Sequence, residues 1–145
     1  MNGMKLIVKT ITHVTIGVIL MFGSYISLNG HLGVGGGVAG GVIVALAFIL
    51  YVLAYGSSKA EERLNRRLAT VLLCTSSTLL LIIALLGYFG GYFFSNFLPK
   101  GDPLSMFSAG TIPLCNFCLM VFVASALFIV FINFTTFRVK VGGDM

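Results

Sequence analysis

The chain has 145 residues, 58% of them hydrophobic and 9% charged, with a mean hydropathy of +1.06. Soluble domains carry roughly 25% charged residues, so this composition excludes an ordinary soluble protein. The net charge of +5 does not point to nucleic acid, because the few basic residues flank long apolar blocks and read as topology signals.

Four such blocks follow one another: about Leu6–Leu28, Leu32–Tyr55, Leu68–Phe94 and Ile112–Phe134. Each is long enough to cross a hydrocarbon core of about 30 Å at 1.5 Å per residue. They predict an all-α integral membrane protein: one domain over residues 1–145, with four transmembrane helices. The first block is too long for the apolar core of a signal peptide. No clear small-residue cleavage site follows it, so a retained helix is expected. Between the second and third blocks, the Gly56–Arg67 loop holds Glu62 and Arg66 four apart, a spacing that favours a short helix. The third block ends in Tyr88, Phe89, Tyr92, Phe93 and Phe94, as suits a membrane–water boundary. Pro99, Gly101 and Pro103 then mark a turn-rich loop. The fourth block carries Phe128, Phe131, Phe134 and Phe137. Their spacing of three is read as an aromatic stripe on one helix face, for lipid or helix packing.

Orientation follows from the basic residues. Lys5, Lys9, Lys59, Arg63, Arg66, Arg67, Arg138 and Lys140 fall on one side of the four blocks and Lys100 alone on the other. This distribution predicts that both termini and the middle loop are cytoplasmic.

Candidate chemistry is sparse. Glu61, Glu62, Asp102 and Asp144 all lie outside the apolar blocks. Proton and sodium carriers usually hold a carboxylate within the membrane, so this chain alone is a poor candidate for a complete ion transporter. His13 is the one histidine well inside a block. In lipid its nitrogens would be unsatisfied, so it should face protein or water. It is either a neutral histidine bonded to a neighbouring helix or a residue beside a proton or ion path. His31, at the outer boundary, either bonds its loop or touches an ion entrance. Asn116 is polar within an apolar run and should bond to another helix. With Ser125 and Asn133 it suggests a buried, partner-facing side of helix four. Ser76, Ser77 and Thr78 suggest the same for helix three.

Gly30–Gly41 is the densest glycine stretch. Gly35, Gly37 and Gly40 spell a literal G-x-G-x-x-G, but neither the strand nor the acidic residue of a dinucleotide site accompanies it. Gly36/Gly40 and Gly37/Gly41 form overlapping small-x-x-x-small pairs that permit close helix approach. A partly unwound helix start is the other reading, since each interior glycine costs a helix about 1 kcal/mol relative to alanine. Cys115 and Cys118 form a C-x-x-C near the outer end of helix four. They are packing cysteines or, alternatively, the redox pair of a four-helix thiol-disulfide/quinone oxidoreductase. Such an enzyme needs a second exposed pair, and the remaining cysteine is Cys74. Zinc would need four ligands, and only His31 could add a third.

The run Gly30-His31, Gly35-Gly36-Gly37, Gly40-Gly41, Ala45-x-Ala47-Phe48-Ile49-Leu50 and Leu53-Ala54-Tyr55-Gly56 resembles the B subunit (MnhB/MrpB) of multi-subunit Mrp-type sodium/proton antiporters. The Gly110–Asn116 run resembles the start of the last helix of these subunits. Val34 and Val38 stand where that family usually has proline and phenylalanine, and Asn116 where an acid is frequent, which makes this a divergent branch. Related subunits occur in archaeal membrane-bound hydrogenases and sulfur-reducing complexes. The resemblance implies a non-catalytic subunit of a prokaryotic plasma-membrane complex, with no cofactor or metal of its own. It implies other antiporter subunits as partners and sodium ions and protons as cargo. His13, His31 and Asn116 are then the ion-path candidates, and Gly35, Gly36, Gly37, Gly40 and Gly41 the packing residues. A stand-alone small transporter remains the other alternative.

Overall fold

A computed structural model describes residues 6–33, 35–56, 65–96, 98 and 109–143. The expected Glu62–Arg66 helix and the Pro99–Pro103 turns fall largely outside them. Among the described residues, four helices are long and apolar enough to cross a membrane. They are α1 (Leu6–Leu28), α2 (Gly37–Tyr55), α3 (Arg66–Leu86) and α4 (Ile112–Gly143). A 3₁₀ turn, Gly87–Gly90, continues α3.

Local chemistry sets the helix ends. The Asn65 side chain caps α3 by accepting from the Arg67 N–H at 3.2 Å, which satisfies one of the first-turn donors left without a helical partner. At the end of α2, Gly56 takes φ +87° and its N–H donates to the Val52 carbonyl at 2.9 Å. The third helix stops well short of Phe94. Gly87 is packed against the backbone of Phe94 and Ser95, so the aromatic segment folds back over the helix end. The Phe94 N–H donates to the Ala84 carbonyl at 3.3 Å.

The helices pack in the order α1, α2, α4, α3. The second is sandwiched between α1 and α4, and α3 docks on α4. Small side chains make this possible: Ala45, Ala47 and Ala54 on α2, Ala69 and Ala84 on α3, and Ala124 on α4 are buried. In lipid, where apolar burial gives little driving force between helices, such close backbone packing holds them together. One apolar cluster joins Val44, Met120 and Ala124, with Leu20 and Phe48 against it. A second, toward the end of the bundle that carries Asn65, joins Val52, Ala69, Phe128 and Ile132. Phe48 and Phe128 meet edge to face, with centroids 6.0 Å apart.

The expected aromatic stripe does not share a face. Phe128 is buried, whereas Phe134 and Phe137 are 71% and 69% exposed. Steps of three residues fall about 60° short of a full turn, so the ring carried by Phe137 has drifted to the opposite side. Of the expected polar sides, Ser125 and Ser76 are buried, while Asn133, Ser77 and Thr78 are exposed. The first helix is the least covered: Gly23 and Ser27 are its buried residues.

Candidate functional site

Three helix ends meet where the glycine stretch lies. At the end of α1, the Asn29 N–H donates to the Tyr25 carbonyl at 3.0 Å, and a turn closes from the Leu32 N–H to the Asn29 carbonyl at 2.9 Å. The chain then extends through Gly35 and Gly36 before α2 begins at Gly37, five positions later than expected. Gly36 has φ +134° and ψ −169°, a combination essentially confined to glycine. Of the described residues of the stretch, Gly35 and Gly36 are extended and Gly37–Gly41 are helical.

Asn116, in the first turns of α4, sits over this junction. Its amide nitrogen lies 2.8 Å from where a Cβ on Gly30 would be, and its amide oxygen 3.7 Å from one on Gly36. Ser27, with no exposed surface, donates its hydroxyl to the Asn116 carbonyl at 3.1 Å. That bond ties the end of α1 to the start of α4.

The helical glycines then divide between two neighbours. A methyl on Gly40 would lie 2.7 Å from the Gly23 carbonyl and 2.9 Å from the Ser27 Cβ, both on α1. One on Gly41 would lie 2.8 Å from the Met120 carbonyl on α4, and one on Gly37 would strike the Asn116 carbonyl. Gly37 and Gly41 therefore act as a pair toward α4, while Gly40 works with Gly23 toward α1. Replacing Ser27 by alanine removes the interhelical hydrogen bond and is expected to cost about 1 kcal/mol. Chemical denaturation in mild detergent, followed by helical circular dichroism, checks it.

His31 belongs to the 29–33 turn, with its Nδ1 enclosed by protein. A shallow pocket of about 210 Å³, lined by Tyr25, Ile26, Asn29, Leu32 and Gly33, opens at the same turn. His13 is elsewhere. It lies about 20 Å from Ser27 along α1 at ~1.5 Å per residue, and it is exposed. Near it, the Tyr55 hydroxyl donates to the Lys9 carbonyl at 3.4 Å, and the Lys9 ammonium lies 5.9 Å from the Tyr55 ring centre. The structure thus gathers Asn116, the glycines and the turn bearing His31 at one end of the bundle and leaves His13 toward the other.

The cysteines are free thiols: Cys118 buried, Cys115 partly so, and Cys74 exposed on α3. Among the described residues no group of three or more histidines, cysteines or carboxylates could hold a metal. Two contributors to this end of the bundle escaped the sequence analysis. One is Ser27. The other is Asn96, whose Oδ1 accepts from the Thr111 N–H at 3.1 Å and the Thr111 hydroxyl at 3.3 Å, while its Nδ2 donates to the Ala109 carbonyl at 3.3 Å. An isolated serine or asparagine next to apolar residues was the available signal, and many positions share it.

The family described as a domain related to the MnhB subunit of Na+/H+ antiporter matches residues 7–129. The chain belongs to the MnhB family. A Staphylococcus saprophyticus protein described as an antiporter subunit, mnhB2, is 31% identical over 90 residues, 62% of this chain and 64% of that relative. A Staphylococcus aureus (strain Newman) protein of the same description is 31% identical over 99 residues, 67% of this chain and 69% of its own length. The chain thus spans just under two thirds of the first relative. With four membrane-length helices, this MnhB family member is a multi-pass protein of the prokaryotic plasma membrane.

Proposed function

We propose that this chain is a non-catalytic subunit of a sodium/proton antiporter of the Mrp type, supplying one wall of the ion path rather than the path itself. The observation that supports this reading is the placement of His13. Its helix, α1, is the least buried of the four, and His13 stands on the exposed surface with Thr10 beside it. An imidazole facing hydrocarbon is costly, so such a group faces protein or a water-filled cavity. A neighbouring subunit covers this face, and His13 contributes a titratable group to that interface. Asn116 and the glycine junction hold the opposite end rigid. The basic end, with Lys9, Arg66 and Arg67, is cytoplasmic by the distribution of charge.

The test is antiport in membrane vesicles from cells lacking this chain, complemented with wild type or His13→Ala. Wild type restores sodium-dependent proton exchange. The variant, recovered in equal amount in the complex, displaces the pH profile by about half a unit or more, because it removes an imidazole from that interface. An unchanged profile would assign His13 a structural role. A chain that purifies alone and exchanges ions in liposomes would defeat the subunit reading. The same purification decides the finer question of coupling: iron–sulfur subunits in the complex would join it to an electron-transfer arm of the membrane-bound hydrogenase kind.

A further inference from the structure

α2 and α3 both pack on α4 but hardly touch each other. Between them lies a cleft of about 230 Å³. Its walls are Val44 and Phe48 from α2, Leu68 and Leu72 from α3, and Val121 and Ala124 from α4. Leu68 and Leu72 remain 55% and 42% exposed, so the cleft is open to the membrane. At one end it reaches Asn65, the cap of α3, followed immediately by the exposed Arg66 and Arg67. From Asn65 to Leu72 the cleft extends about 10 Å at ~1.5 Å per residue. The stated volume over that length is a channel narrower than the 10–12 Å of a helix with its side chains. A polymethylene chain fits it.

We infer that this cleft is a binding site for an anionic phospholipid, its acyl chain between α2 and α3 and its headgroup phosphate against Arg66 and Arg67. The chemistry at the mouth supports an anion. Arginine pairs with phosphate through two parallel donors, and the positive end of the α3 dipole favours negative charge. Among the described residues this end of the bundle carries Lys9, Arg66 and Arg67. The apolar cleft alone would accept any lipid tail; the arginines select the headgroup. A lipid held there would close the wedge between α2 and α3 that the protein leaves open. The inference is independent of the antiporter reading, because it concerns the surface of this chain alone.

The test uses the intact chain, in whatever complex it purifies with, in phosphatidylcholine nanodiscs doped with phosphatidylglycerol carrying a photoreactive group on its acyl chain. Adducts are mapped by peptide mass spectrometry. Labelling is expected on the Leu68–Leu72 and Val121–Ala124 segments. The same probe on phosphatidylcholine should label them about tenfold less. Arg66→Gln with Arg67→Gln should lower phosphatidylglycerol labelling about tenfold, at a few-fold per basic residue near an anionic group, and leave phosphatidylcholine labelling unchanged. Both arginines are exposed, so the fold should tolerate the change. Competition by unlabelled phosphatidylglycerol on the unaltered chain reads the same selectivity without substitution. Equal labelling by both lipids, indifferent to the arginines, would overturn the inference. So would a cross-link from Leu72→Cys to a neighbouring subunit with no lipid adduct in the cleft.

Discussion

Replacing Gly41 by leucine is expected to undock α2 from α4. A first side-chain carbon at that position would lie 2.8 Å from both the Met120 carbonyl and the Val123 Cβ. The carbonyl is backbone and cannot rotate aside, so the two helices must separate. Overpacking in a core costs typically 1–3 kcal/mol. Here the separation would also part Val44 from Met120 and Ala124, so a loss at the top of that range, about 3 kcal/mol, is expected. Recovery of the chain from detergent should fall severalfold, measured by size-exclusion chromatography of a fluorescent fusion. Gly17→Ala is the contrasting case. Nothing lies within 4 Å of a Cβ on Gly17, and alanine is the better helix former by about 1 kcal/mol. Recovery of that variant should match or exceed wild type. Equal recovery of the Gly41 and Gly17 variants would show that the α2–α4 contact is not the close one described.

The second large effect is expected at Asn96. Its side chain joins the segment after α3 to the start of α4 through Thr111 and Ala109, and it also accepts from the Leu98 N–H at 3.3 Å. Gly110, at φ +62°, brings the chain so close that a Cβ there would collide with the Asn96 amide. Asn96→Ala removes every one of these bonds at once. Two lone pairs on Oδ1 serve three donors and Nδ2 makes one further bond, so at about 1 kcal/mol per net hydrogen bond the local loss is about 3 kcal/mol. Hydrogen exchange at the Thr111 and Leu98 amides should accelerate by about two orders of magnitude (1.4 kcal/mol per tenfold). Exchange in the middle of α2 should stay as it was. Unchanged protection at Thr111 would remove the clasp.

Much of this architecture was legible in the residues. Four apolar blocks became four helices because hydrocarbon leaves a backbone no partner but itself. The outer bounds of α1 and the start of α4 match the expected ones. The expected start of α2 differed because hydropathy cannot see backbone dihedrals. Leu32 is as apolar as a helix residue, yet it lies in a turn, and the positive φ values of Gly35 and Gly36 delay the helix to Gly37. The end of α3 was misplaced for a related reason, since Tyr88–Phe94 is apolar but folds back on Gly87.

At the candidate site, the residue types were readable and the pairings were not. The glycines, Asn116, His31 and His13 stood out from apolar surroundings as soon as the chain was read. Their division into an Asn116–glycine junction and a separate His13 face depends on which helix lies beside which. That is set by contacts between residues far apart in the chain, such as Ser27 with Asn116. Periodicity places a side chain on a helix face but does not say what covers that face. For Gly30–Gly41, composition established a membrane setting, and the resemblance carried the family pattern, without reference to any neighbour. Packing set Gly30 and Gly36 against Asn116, Gly40 against α1, and Gly37 and Gly41 against α4. A glycine's function lies in what approaches it, and that approach exists only once α1, α2 and α4 have come together.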